Sequence, residues 1–311
     1  MRNSLRKETL FDALILVVAL LLLPVVTLGQ TTRPATAPIS EANEVLVGEA
    51  PTGIAFDGAN IWVTNQFGKT VSKIGLSGTV LGSYPVGNNP TGVASDGLSV
   101  WVANSADNTV TKLSASAKGG ALGTYKVGDG PIGVLILGAT VWVTNERDST
   151  VTQLASTGDV IGTYKVGTRP LGITTDGTNI WVTNNKSDSV TKLSAKGEVL
   201  GTYKVGDGPF GIAFDGASIW VTNFFGGTAM KLNVNDGSIV GTFKVGDGAA
   251  GITVNKGQVL IVNNGSNSVM TFSTDGALLA TAIVGRSPFG VVSDGSNTWV
   301  TNAGSNSVSK R

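Results

Sequence analysis

The dipeptide Val-Gly recurs at Val47, Val86, Val127, Val166, Val205, Val245 and Val284, at spacings of 39, 41, 39, 39, 40 and 39 residues. No other feature restricts the fold as sharply, because a period of this size means a solenoid, a propeller or another array of one repeated unit. The contents of the period decide among these. In the copy from Val166 to Lys204, short runs rich in β-branched residues fall at Leu171 to Thr175, Ile180 to Thr183, Ser189 to Leu193 and Val199 to Val205. Turn signals separate them, among them Asp176-Gly177, a dipeptide suited to positive φ. None of the runs has room for a helix. Four antiparallel strands per copy describe one propeller blade and exclude a helical solenoid.

Six complete copies run from Val47 to Ile283, and a seventh starts at Val284 and reaches only its third strand, SVSKR. Glu44 to Val47, upstream of the first copy, stands where the fourth strand stands elsewhere. The expected fold is therefore all-β: a seven-bladed β-propeller of four-stranded antiparallel blades over residues 44–311, its last blade closed by the N-terminal strand. Such closure removes exposed sheet edges. The alternative is six blades with a dangling tail.

The second strand of each copy carries one motif: IWVTN ending at Asn65, VWVAN at Asn104, VWVTN at Asn145, IWVTN at Asn184 and Asn223, and TWVTN at Asn302. The sixth copy reads VLIVN, with Leu260 in place of Trp. A side chain repeated in every blade does what every blade needs, so the tryptophans are expected to fill the wedges between sheets, at roughly 2 to 3 kcal/mol each. The Asn is read as a turn former at the strand exit. In the crossing VGxxPxG, Gly and Pro shape the passage to the next blade, and the last Gly lets the innermost strand approach the crowded axis. The aspartates Asp57, Asp96, Asp176, Asp215 and Asp294 sit in equivalent turns and are read as turn residues.

Before the repeat, a basic start precedes an apolar run from Ala13 to Gly29. Residues 1–29 read as a signal peptide cleaved near Gly29 and Gln30, or else as an uncleaved anchor at the short limit for a membrane span. Residues 30–43, rich in Thr, Pro and Ala, read as a flexible linker. Both readings place the body outside the cytoplasm: periplasmic, secreted or at the cell surface. Any membrane contact is expected only through an uncleaved N-terminal segment. Of 22 basic and 21 acidic residues, three and two lie in the first 29, so the remainder is neutral. A neutral body lacks the electrostatic footprint that phosphate backbones require, which argues against nucleic acid as a partner.

With these motifs the chain resembles the YVTN family of β-propeller repeat proteins, with Trp where that family has Tyr, and the related streptogramin lyase (virginiamycin B lyase) group. The resemblance runs from about Glu44 to Arg311 and includes the TVTKLS third strand and the VGxxPxG crossing. It implies a propeller. The lyase branch further implies opening of a cyclic depsipeptide lactone by elimination, with a histidine base and a magnesium ion. This sequence has no histidine and no cysteine. That base therefore has no position here, and the common Ser-His-Asp, Cys-His and zinc chemistries are equally excluded. A divalent-cation-dependent lyase or hydrolase built on carboxylates at the channel mouth is the enzymatic alternative.

Functional candidates are sought where the copies differ, because a blade does not need those residues for its own packing. In the xx of VGxxPxG, Glu49, Asp129, Asp207 and Asp247 are expected to ring one mouth of the channel and are the candidate oxygen ligands for Ca²⁺ or Mg²⁺. No cofactor is otherwise required. The loops between second and third strands should open on that same face. There Phe224 and Phe225 stand adjacent in a turn; with Phe67, and with Phe210 and Phe289 of the PxG crossings, they form a candidate apolar contact patch, flanked by Arg169 and Arg286. The expected function is binding of an extracytoplasmic protein, peptide, glycan or small ligand by a monomer.

Overall fold

The computed structural model describes residues 43–116 and 120–311; the signal-peptide reading and all but the last residue of the linker reading lie outside them. The 28 strands, numbered in chain order, form seven four-stranded antiparallel sheets. In the blade containing Trp181 these are β14 (Pro170–Thr175), β15 (Ile180–Asn184), β16 (Ser189–Leu193) and β17 (Val199–Lys204). Each predicted run is thus found within a residue at either end. The first strand of every blade neighbours the first strands of the two adjacent blades, so seven innermost strands encircle an axis.

The ring is closed as the sequence requires. Strand β1 (Asn43–Leu46) pairs antiparallel with β28 (Ser307–Lys310), in a sheet completed by β27 (Thr298–Asn302) and β26 (Pro288–Ser293). Val45 lies opposite Val308 and is buried. The Glu44 carboxylate accepts from Ser307 Oγ, Ser309 Oγ and Asn302 Nδ2. One charged side chain of the first strand thereby fastens two strands from the far end of the chain.

The core is seven separate wedges, one between each pair of neighbouring blades. All six tryptophans are 0–1% exposed, which places them in six of those wedges. In four blades the indole Nε1 donates to the turn aspartate five residues earlier, at 2.7–2.8 Å: Trp62 to Asp57, Trp181 to Asp176, Trp220 to Asp215 and Trp299 to Asp294. A third-strand lysine lies over the indole in five blades, as Lys192 does at 4.9 Å from the Trp181 ring. Its ammonium then donates across the wedge to a carbonyl in the next blade: Lys73 to Ala115 O at 2.8 Å, Lys231 to Thr274 O at 2.7 Å, and Lys310 to Leu76 O at 2.7 Å. A fourth-strand aromatic stacks on the same indole, with Tyr203 at 5.7 Å from Trp181 and Phe243 at 5.0 Å from Trp220. Nearer the axis, the motif Thr donates to the next blade's first strand: Thr183 Oγ1 to Phe210 O and Thr301 Oγ1 to Thr52 O, both at 2.8 Å.

That carbonyl explains the last Gly of VGxxPxG. A Cβ on Gly172 would lie 2.4 Å from Phe210 O, and one on Gly53 2.1 Å from Thr91 O, so only glycine lets neighbouring blades meet. The motif Asn has a different role from the turn former expected. All seven are fully buried, and Asn65 and Asn145 each donate Nδ2 to two third-strand hydroxyls at 2.8–3.0 Å. The Val-Gly glycine rests on this Asn: a Cβ on Gly48 would fall 2.5 Å from Asn65 Cγ.

The wedge between blades six and seven keeps the close glycine, Gly251 against Phe289 O, but lacks the indole, the lysine, the aromatic and the threonine. Leu260 replaces Trp, Val262 the motif Thr, Thr271 the lysine and Ala282 the fourth-strand aromatic, leaving an aliphatic cluster with Val284, Val291 and Val300. Topology accounts for the missing lysine. Elsewhere the carbonyl that receives the lysine comes from the turn joining third to fourth strand, but in blade seven the fourth strand is β1 and no such turn exists. A lysine at 271 would be a buried cation without its acceptor, a costly arrangement.

The turn aspartates make the fold sensitive to acid. Burial opposes their ionisation, but indole and backbone N–H donors outweigh it and hold Asp57, Asp176 and Asp215 below the ordinary value of 3.8. Asp294 is held at about 2 by the amides of Asn297 and Ser296, the Asn297 side chain and Trp299. A folded-state pKa below the unfolded one gives stability that is complete above about pH 4 and is lost as pH falls towards about 2. The melting temperature should therefore decline across that window, and less steeply in Asp294→Asn. Equal acid slopes for parent and variant, followed by circular dichroism, would refute the assignment.

Candidate functional site

The crossings and the loops between second and third strands share one face, as expected. Gln66 N donates to Ala50 O at 3.0 Å and Phe67 N to Glu49 O at 3.3 Å, tying one loop to one crossing. The third loop residue caps a crossing amide in several blades, as when Asp107 Oδ2 accepts from Asn88 N at 2.6 Å and Ser305 Oγ from Arg286 N at 2.8 Å. The fourth has positive φ at Lys69, Asn108, Ser149, Asp188, Asn267 and Asn306, and where it is Asn or Asp it can receive the next crossing, as Asp188 Oδ1 does from Gly208 N at 2.9 Å. These two positions are structural. The first two loop positions and the residue between Pro and Gly are therefore the ones free to define a site.

Four of the five predicted phenylalanines come together. Phe210 meets Phe289 edge to face at 5.2 Å and 88°, and Phe224 at 5.9 Å; Phe224 meets Phe225 at 5.3 Å and 80°. Phe210 and Phe289 belong to blades five and seven, and the residue between them in the ring is Ala250, small enough to let the rings meet. Phe224 also packs towards Gly248, and Phe225 occupies the space a Cβ on Gly208 would need. All four rings are half-buried. Phe67, half-buried in the first blade's loop, is not part of the cluster.

Arg169 is the second notable element. Its Nε donates to Glu146 Oε1 at 2.8 Å, in an ion pair whose side chains are 17% and 5% exposed. Arg169 has φ of +58° at a position where three other blades place Gly130, Gly208 and Gly248. Ala50, Asn89 and Ser287 take the same conformation in the remaining blades, so a side chain here carries a conformational cost of about 1 kcal/mol, and among them only Arg169 is ion-paired to a buried carboxylate. Arg286, by contrast, is exposed.

The candidate carboxylates are dispersed. Glu49, Asp129, Asp207 and Asp247 belong to the crossings into blades one, three, five and six, and among the described residues no three acidic groups converge as a metal site would require. Asp129 instead pairs with Arg147 at 3.0 Å. Sequence reasoning passed over the buried first loop residues Gln66, Ser105, Glu146 and Asn185. The available signal was that this position takes six different residues in seven copies while the Asn before it never changes.

The class defined by this architecture is the seven-bladed β-propeller. No protein-family model matches the sequence, and no curated protein does. Among solved structures the chain is similar to a streptogramin B lyase, with 20% identity, a TM-score of 0.77 and coverage of 87% of this chain and 96% of that one. It is also similar to a catalytically inactive His-to-Ala variant of virginiamycin B lyase from Staphylococcus aureus with quinupristin (19%, TM-score 0.75, 87% and 98% covered). Hydrazine synthase of Kuenenia stuttgartiensis is another neighbour (17%, TM-score 0.77, 90% and 99% covered). At these identities the likeness is one of fold.

Proposed function

We propose that this chain is an exported propeller, periplasmic, secreted or at the cell surface, that binds a protein, peptide or small ligand at its loop face without covalent catalysis. The carrying observation is the cluster of Phe210, Phe224, Phe225 and Phe289, assembled from two blades by residues that the repeat does not require. Blade packing is complete without it, since the wedges are filled by the motif residues. Half-buried aromatics that the core does not need are common in ligand sites. The sequence lacks histidine, the commonest catalytic base, and cysteine, which supports binding over turnover. Neither Ca²⁺ nor Mg²⁺ is needed in this reading.

Selection of a displayed random-peptide library on the immobilised protein tests it. Recovered peptides should be rich in apolar residues and should bind the double variant Phe224→Ala with Phe225→Ala at least tenfold more weakly. Melting of that variant should shift by only a few degrees, because neither ring belongs to a wedge. Peptides that bind parent and variant equally, or a selection that yields no binder, would sink the proposal.

A further inference from the structure

The joint between blades six and seven is altered on both of its walls. In every other joint the later blade offers an apolar pair to the tryptophan of the blade before it, as Ile219 and Leu232 do to Trp181, and Ile61 and Ile74 to Trp299. At the matching places blade seven has Thr298 and Arg311, paired by Thr298 N to Arg311 O at 2.8 Å and Arg311 N to Thr298 O at 2.9 Å. The wall on blade six is correspondingly open. Leu260 and Val269 are each 6% exposed, whereas their counterparts in the other six blades are 0–1% exposed. The joints on either side keep their lysine and threonine bonds: Lys231 to Thr274 O and Thr222 to Ala250 O on one, Lys310 to Leu76 O and Thr301 to Thr52 O on the other.

Arg311 supplies a bond that runs the opposite way. Elsewhere the lysine belongs to the earlier blade and donates to a carbonyl of the later one. Here Arg311 of blade seven donates Nη2 back to Ile283 O, at the end of β25 (Leu278–Ile283) in blade six. On the loop face the two blades are also tied by Asn264 Nδ2 to Pro288 O at 3.0 Å and Ser287 N to Asn267 Oδ1 at 2.8 Å. Those ties are shared with the joint between blades four and five, so they do not replace what is missing.

A joint tied along one face and poor in contacts elsewhere has the character of a hinge, because regions with few buried contacts open at the lowest free energy. We infer that this joint is where the ring opens, and that Arg311 is the latch that holds it shut. Phe289 of blade seven meets Phe210 of blade five across the joint at 5.2 Å, so each opening changes the spacing of these two rings. The hinge thereby sets the shape of the aromatic cluster.

The chain contains no cysteine, so single introduced thiols report the opening. Val300 and Val221 hold the same place in blades seven and five, one facing the altered joint and the other a complete one, and both are fully buried. In native buffer Val300→Cys should react with iodoacetamide about tenfold faster than Val221→Cys, the rate following the population of the open form. Val262→Cys, on the facing wall of the same joint, should match Val300→Cys and serves if that variant fails to fold. Arg311→Ala should speed both joint thiols about tenfold more and leave Val221→Cys unchanged. Equal rates at the altered and complete joints would mean that reaction follows global unfolding, and the hinge is refuted. Joint thiols whose rates do not respond to Arg311→Ala would refute the latch.

Discussion

Trp181→Ala is expected to destabilise the propeller by about 3 to 5 kcal/mol in chemical unfolding, the range for deleting a fully buried large aromatic. Three further losses accompany the cavity. Lys192, held 4.9 Å above the ring, loses its aromatic face. Tyr203, stacked at 5.7 Å, loses the surface it covers. Asp176, partly desolvated, loses the indole N–H that donates to it at 2.8 Å. These partners act on one another, so the cost belongs at the upper end of the range, and Trp181→Ala combined with Lys192→Ala should cost less than the sum of the two single changes. A loss below about 1 kcal/mol would mean that the wedge is not built around this ring.

Removal of residues 43–46 should have the second large effect. It strips β28 of its partner, removes Val45 from a wedge and leaves Ser307, Ser309 and Asn302 without the Glu44 carboxylate. The bared edge is a four-residue strand in a sheet of three, a template for pairing with another chain. Size-exclusion chromatography should show dimers and larger species, and the remaining monomer should melt roughly 10 °C lower. A truncated chain that stays monomeric and melts with the parent would show that the ring does not depend on its closing strand.

The fold was legible because the strand-and-turn plan of a blade recurs seven times. Strand limits, blade number and the closing strand could be read from spacing alone. Side-chain partners on a neighbouring strand or blade have no such signature. The motif Asn looks like a turn residue because its neighbours are loop residues, whereas its side chain is directed at hydroxyls five and seven positions on. The third-strand lysine looks like a surface charge, and its acceptor lies about one repeat away.

The site was legible in part, for the same reason. Phe210, Phe224, Phe225 and Phe289 stood out because they break the pattern, yet the meeting of blades five and seven depends on a small residue, Ala250, at the position between them. Four carboxylates at equivalent positions looked like a ring of ligands, but equivalence in a repeat means separation by whole blades.

The joint between blades six and seven carries a different consequence. Borrowing the outer strand of the last blade from the start of the propeller removes one turn, and with it one acceptor carbonyl, so the preceding blade has no use for a lysine at 271. Restoring a lysine at 271 alone would place a charge where no such carbonyl receives it, opposite Leu260 rather than an indole. The stitch that closes the circle therefore leaves its clearest mark on the blade beside it, where the repeat has been rewritten to match.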